Sequence, residues 1–218
     1  MIGLVAISVV CFLATFSRAG SVTQDDFTGV GRIHVLKSDD WKTANPSQII
    51  GCLDDLGRFV SGEKKEDCGV FAHINTYPST LSSSKGNCSF TNSKAEKNLD
   101  SYYGRRDSAW SCAPGNVAKP MDALYTLDGF EYPFLCFGDI ACFYDSKEAP
   151  QKGENTSLWQ FRWGSMQRGV PEGHIQLQLM WEKIGDLTKK ANTEKAPSRL
   201  MGFSNVLQTL FRGPEMDA

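Results

Sequence analysis

Several kinds of chemistry are missing from this chain. It has three histidines, His34, His73 and His174, and none stands in HExxH spacing. It has no CxxC pair, the usual mark of a structural zinc site. No metal or cofactor is therefore expected. There is no GxSxG elbow and no P-loop, and Gly29-Val-Gly31 lacks the strand–turn–helix setting that phosphate binding needs. After the N-terminus no stretch approaches the ~20 apolar residues that span a bilayer. The C-terminus has no polar spacer followed by a hydrophobic tail, so no lipid anchor is expected. Positive charge is not in excess: 23 Lys+Arg face 25 Asp+Glu, with the signs interspersed. A nucleic-acid partner would need a basic face, so none is expected. No internal repeat is visible.

What is present begins at the N-terminus. Ile2 to Phe16 is an uncharged run of apolar and small residues that ends at Ser17-Arg18-Ala19. A short terminal apolar segment with a small-x-small end reads as a secretory signal peptide over residues 1–19. Its removal takes away Cys11 and Arg18. The seven cysteines become six, and 22 Lys+Arg remain against 25 Asp+Glu, a formal net charge of −3. The expected protein is soluble, monomeric and extracellular, with no membrane partner. An even cysteine number in an oxidising compartment implies three disulfides among Cys52, Cys68, Cys88, Cys112, Cys136 and Cys142. Six cysteines allow fifteen pairings. A local Cys136–Cys142 bridge is favoured because Gly138-Asp139 can form the turn between them. Two glycosylation sequons, Asn87-Cys88-Ser89 and Asn155-Thr156-Ser157, survive secretion. Asn155 is the better acceptor, since Cys88 occupies the middle of the other.

The pattern along the chain predicts an α+β fold that is mostly β. Residues 20–38 are polar and without strong periodicity, and read as a flexible arm or a propeptide. Residues 39–113 read as a disulfide-stapled N-terminal domain with a short helix plus strands. Its helix is expected across Asp40 to Leu56, with Ser47 as cap and Ile49, Ile50, Leu53 and Leu56 on one face. Phe59-Val60 and the run from Cys68 to Ile74 read as two strands joined by the charged loop Ser61 to Asp67. Tyr102-Tyr103 and Trp110 are expected packing points. The Pro/Gly-rich residues 114–120 read as a linker. Residues 121–218 read as a β-rich domain resembling an antiparallel β-sandwich. In Leu158 to Trp163 the alternation puts Trp159, Phe161 and Trp163 on one face. In His174 to Trp181 it puts Ile175, Leu177 and Leu179 inward and His174, Gln176 and Gln178 outward. Thr188 to Pro197 reads as a loop and Leu200 to Phe211 as a closing helix.

One set of residues suggests catalysis. Glu131, Arg162 and His174 follow one another in β-rich sequence, an order similar to the Glu, Arg, His of small fungal guanyl-specific ribonucleases. That resemblance implies a carboxylate base, an arginine stabilising the phosphorane charge and a histidine acid. It would need Glu131 and His174 about 5–7 Å apart, across a scissile phosphate. The first histidine of that family has no counterpart near Leu124 to Gly129, and the spacing from Glu131 to Arg162 is longer than in the family.

A second resemblance covers residues 50–92, about a fifth of the chain. Cys52-Leu-Asp-Asp-Leu-Gly-Arg-Phe59, Asp67-Cys-Gly-Val-Phe71 and Gly86-Asn-Cys-Ser-Phe90 look like segments of small secreted cysteine-containing proteins of plant-pathogenic fungi. In size, signal, cysteine number and two-part organisation the chain resembles the dual-domain Fusarium "secreted in xylem" effectors. The resemblance implies a non-enzymatic virulence protein that binds a host plant protein, in the apoplast or xylem or after uptake into host cells. The alternative is a secreted ribonuclease-like hydrolase or a degenerate nuclease fold. Secreted protein is expected to begin near Gly20 and to gain about 6 Da on reduction, two hydrogens per bridge. Intact mass with and without reductant checks both.

Overall fold

The computed structural model describes residues 26–74, 79–117, 119–120, 123–138 and 141–187. The expected signal peptide, loop and closing helix lie outside those residues. Gly29–Lys37 forms β1, a nine-residue strand whose Gly31, Ile33 and Val35 alternate inward. Its β-branched residues suit a pleated, buried surface. The partner β11, Ile175–Gly185, lies antiparallel to it from Val30↔Gly185 to Lys37↔Leu177. The expected arm or propeptide is thus corrected over residues 29–37: they form a central strand.

The remaining strands are short. They are β2 (Ile49–Leu53), β3 (Phe59–Val60), β4 (Phe71–Ile74), β5 (Thr80–Ser83), β6 (Gly86–Ser89) and β7 (Ser111–Ala113). After them come β8 (Tyr144–Ser146), β9 (Asn155–Thr156) and β10 (Trp159–Gln160). All belong to one antiparallel sheet with the order β10-β8-β11-β1-β4-β5-β6-β7. β1 also pairs with β2 along His34 to Leu36, and β2 carries β3 and β9. The free edge of β1 is therefore divided, Gly29 to Gly31 against β4 and His34 to Leu36 against β2. The sheet curls until its ends approach: the Trp110 N–H, just before β7, donates to the Leu158 carbonyl, just before β10, at 2.8 Å.

This single sheet replaces the expected sandwich. Strands from both sides of residues 114–120 belong to it, and β1 pairs with β11 across the whole described chain. The charged loop Ser61 to Asp67 does not close a hairpin, because β3 pairs with β2 and β9 while β4 pairs with β1 and β5. The expected helix is corrected as well. Within Asp40 to Leu56 only Pro46–Gln48 forms a helical turn, a 3₁₀ one, and Asn45 caps it instead of Ser47. The Asn45 side chain accepts from the Ser47 N–H at 3.0 Å, and the Gln48 side chain accepts from the Asn45 N–H at 3.0 Å. Ile49–Leu53 then runs as strand. A helix here would carry a central glycine at a cost of about 1 kcal/mol. In the strand Gly51 admits the Val60 carbonyl, which would lie 2.1 Å from any added Cβ.

The three disulfides form as Cys52–Cys68, Cys88–Cys112 and Cys136–Cys142. Cys88 and Cys112 stand directly opposite in the β6–β7 ladder. Cys136–Cys142 closes a turn whose Phe137 and Ala141 exchange backbone hydrogen bonds. Closing loops of this length contributes about 3 kcal/mol per bridge by restricting the unfolded chain.

Inside the curl lies a core that includes Phe27, Ile33, Phe59, Phe71, Tyr144, Leu158, Leu177 and Trp181. Ile175, Leu177 and Leu179 face it, as the alternation predicts. The opposite face of β11 is covered too. Met180 packs with Leu36, Ala44 and Phe134, and Gln178, expected outward, is fully buried. Gly31 makes room for the indole of Trp181, which meets the Phe27 ring edge-on at 5.3 Å, and Phe27 in turn stacks on His73 at 3.8 Å. A Cβ on Gly31 would lie 2.4 Å from the Trp181 ring and 2.6 Å from the Glu182 carbonyl. Gly31→Ala is expected to destabilise the protein by about 1–3 kcal/mol through overpacking. Chemical denaturation with the disulfides intact measures it, and an unchanged midpoint would show that the strand relaxes freely.

Candidate functional site

Two loops meet beyond one end of the sheet, residues 98–107 and residues 161–168. The first is organised by Asn98, which is fully buried. Its side-chain oxygen accepts the N–H groups of Asp100 and Ser101 at 3.1 and 3.0 Å, a local turn that asparagine makes readily. Its backbone bonds Asp107 and Arg106 across the loop. The tight return places Arg106 at φ 73°, a left-handed conformation rare outside glycine. The second loop is a small turn closed by reciprocal backbone bonds between Gly164 and Gln167.

Two side chains clamp the loops together. The Gln167 carbonyl oxygen accepts from the Ser101 hydroxyl at 3.2 Å and from the Tyr102 and Tyr103 amides at 2.5 and 3.4 Å. In the other direction the Tyr103 hydroxyl accepts the Met166 N–H at 3.1 Å and lies 3.4 Å from the Ser165 hydroxyl. These bonds hold the Tyr103 phenol below its ordinary pKa, that with Ser165 most and that with Met166 next. Gly164 is required by the approach: a Cβ there would stand 2.6 Å from the Tyr103 ring.

The clamped loops expose apolar surface. Leu99, Tyr102, Tyr103, Trp163 and Met166 are five of the ten large apolar side chains that reach solvent among the described residues. Trp163 is 73% exposed and Tyr102 61%. Tyr102 and Tyr103 meet edge to face at 5.0 Å. Arg105, Arg106 and Arg168 are exposed in the same loops. Tyr102 and Tyr103 are thus not the internal packing points expected of them, whereas Trp110 is buried. The alternation from Leu158 also breaks down: Leu158, Trp159, Gln160 and Phe161 are all buried, and Trp163 is not. The sequence signal for the surface is the pair of aromatic-plus-arginine segments flanked by Gly104, Gly164 and Gly169.

Beneath the loops lies a charged cluster. His174 sits just before β11 with its side chain only 2% exposed. Its Nδ1 is 2.5 Å from Asp145 Oδ2 and its Nε2 3.2 Å from Asp100 Oδ2. Asn98 donates to the same Asp145 oxygen at 3.3 Å, and Lys147 lies 3.9 Å from Asp100. Burial raises the Asp145 carboxyl to about 6, against the favourable effect of the bonds from His174 and Asn98. An imidazolium donates to both carboxylates at once. A neutral ring donates to one, and a proton on Asp145 then preserves the other contact. The cluster ties loop 98–107 to β8 and β11.

The three residues of the ribonuclease-like set have separate partners. Glu131 is exposed and bonded to Tyr132, Arg162 is paired with Asp107 at 2.9 Å, and His174 is held as above. No contact joins the three among the described residues. Of the sequon residues, Asn155 is exposed, while Asn87 is half-buried with its amide donating to the Asn116 carbonyl at 3.3 Å.

Asp145 gives the site a pH signature. Its folded pKa lies above the value near 4 of an unfolded aspartate, so the native state binds more protons between these values and stability falls as pH rises from about 4 to about 6. The loss is on the order of 2–3 kcal/mol. His73, lowered by burial, contributes with the opposite sign, being lost as pH falls below about 6.5. It acts equally in a variant lacking the Asp145 carboxyl. The stability of the wild type relative to Asp145→Asn should therefore decline across pH 4 to 6.5, and a flat difference would remove Asp145 as the titrating group. No protein-family model, curated protein or solved structure matches this chain.

Proposed function

We propose that this chain is a secreted effector that acts non-enzymatically, binding a host plant protein through the paired loops 98–107 and 161–168. The observation that carries the reading is the exposed cluster of Tyr102, Tyr103, Trp163 and Met166 on loops locked by Gln167 and Tyr103. Buried apolar side chains are accounted for by the core, whereas an exposed group of large apolar side chains marks a contact surface. Tyr, Trp and Arg are the residues that dominate binding energy at protein interfaces, and Met is enriched there. Residues 98–107 combine Tyr and Arg with Asn, Ser and Gly, the mixture that serves antibody loops: rigid aromatic area beside adaptable hydrogen bonding. The clamp orders the loops in advance, which lowers the entropy lost on association. Arg105, Arg106 and Arg168, exposed and without an ion pair among the described residues, favour a partner with acidic residues around an apolar patch.

Three disulfides suit a protein that works outside the cell. Among the described residues no helix is long and apolar enough to cross a membrane. The separate surroundings of Glu131, Arg162 and His174 favour binding over ribonuclease chemistry.

Tyr102→Ala and Trp163→Ala are each expected to weaken binding to an extracellular plant partner by about tenfold or more, with little change in melting temperature. Val117→Ala, at another exposed apolar residue, should leave binding unchanged. Surface plasmon resonance on the purified partner reads the effect. Unaltered affinity in both loop variants, or turnover of RNA or glycan by the purified protein, would overturn the reading.

A further inference from the structure

Away from those loops, the outer face of β1 opens into two adjoining clefts of about 570 and 360 Å³. Arg32, Lys65 and Cys68 line both. Strand alternation turns Arg32 away from the core, since Ile33 and Val35 face inward. The Cys52–Cys68 disulfide pins the segment that carries Lys65 against β2.

The charges in these clefts are unevenly satisfied. Asp54 accepts two nitrogens of Arg58 at 2.9 and 2.7 Å and the amides of Leu56 and Arg58. Asp55 accepts the Val70 amide at 3.0 Å and the Ser84 hydroxyl at 2.6 Å. Glu182 stands opposite Arg32 in the β1–β11 register, yet it pairs with His34 at 2.9 Å. Glu66 and Asp67 are exposed in the turn beside Lys65. The Arg32 side chain has no ion-pair or hydrogen-bond partner among the described residues, and its Nε is out of contact with solvent. A half-buried guanidinium with no carboxylate partner keeps its charge and donors available to an incoming oxyanion.

We infer that the Arg32 cleft binds the oxyanion group, carboxylate or phosphate, of a small molecule. The guanidinium ends in two Nη nitrogens, a planar pair that matches two oxygens of one such group. Lys65 supplies a second positive charge from the other wall. Asp54, Asp55 and Glu182 are bonded elsewhere, and Glu66 and Asp67, the two other carboxylates lining the first cleft, are outnumbered by Arg32, Lys65 and Lys85. The two volumes lie within the range of small-ligand sites. This site shares no residue with loops 98–107 and 161–168, and it stands or falls independently of the function proposed for them.

The test uses the full secreted chain, labelled with ¹⁵N, and follows the arginine Nε–H signals at constant ionic strength. Inorganic phosphate and benzoate are titrated separately, so the two arms distinguish the two oxyanions. The Arg32 Nε–H signal is expected to move saturably with at least one probe, while that of Arg58, engaged by Asp54, stays in place. Arg32→Gln should abolish the saturable response. Arg32→Lys, which keeps the charge and loses the planar pair, should weaken it about tenfold. If Arg32→Gln disturbs the amide spectrum broadly, the lysine variant decides. Absence of saturation with both probes, a response centred on Arg105 or Arg168, or wild-type affinity in Arg32→Lys would each overturn the inference.

Discussion

The ladder between β1 and β11 is the constraint on which the remaining structure depends. It joins the first described strand to the last, and its eight paired positions bring together segments about 150 residues apart in sequence. Such a pairing carries a large loop-closure entropy, which must be recovered by burial. The ladder recovers it on both faces. Ile33, Val35, Leu177, Leu179 and Trp181 meet the main core, and Leu36 and Met180 meet the smaller cluster under Phe134. Because β1 also offers its other edge to β2 and β4, the Cys52–Cys68 staple and the β4–β7 meander hang from the same strand.

That ladder also supports the exposed surface. His174 immediately precedes β11, and Asp145 lies in β8, which pairs with β11 at Gln176. Their contact to Asp100 and Asn98 fixes one side of loop 98–107, and Gln167 fixes the other. The aromatic patch is thus an extension of the sheet. A buried charged cluster is a poor source of stability, since desolvation offsets much of the attraction. Its use here is positional: two carboxylates and one imidazole define where the loop sits.

Several features were legible from local rules. The six cysteines and their even count announced three bridges, and Gly138 marked the short Cys136–Cys142 turn. The β character and the inward face of Ile175, Leu177 and Leu179 followed from alternation. Other features were not legible for identifiable reasons. Ile49, Ile50 and Leu53 fit helical spacing as well as a strand, and pairing with β1 and β3, with the Val60 carbonyl over Gly51, decides between them. Gln178 reads as a solvent-facing residue because nothing local reveals the Phe134 segment that covers that side of β11. Trp163 reads as sharing a face with Trp159 and Phe161 because alternation cannot show where a strand ends.

The sequence alone determined the cysteine framework, the β-rich composition and the absence of familiar catalytic spacings, since each depends on residue identity at short range. The tertiary structure decided that residues 29–37 form the central strand, that both faces of β11 are covered, and that two distant loops share one exposed aromatic surface. These depend on pairings between segments far apart in the chain, where the energy comes from joint burial and from hydrogen bonds that no local pattern encodes.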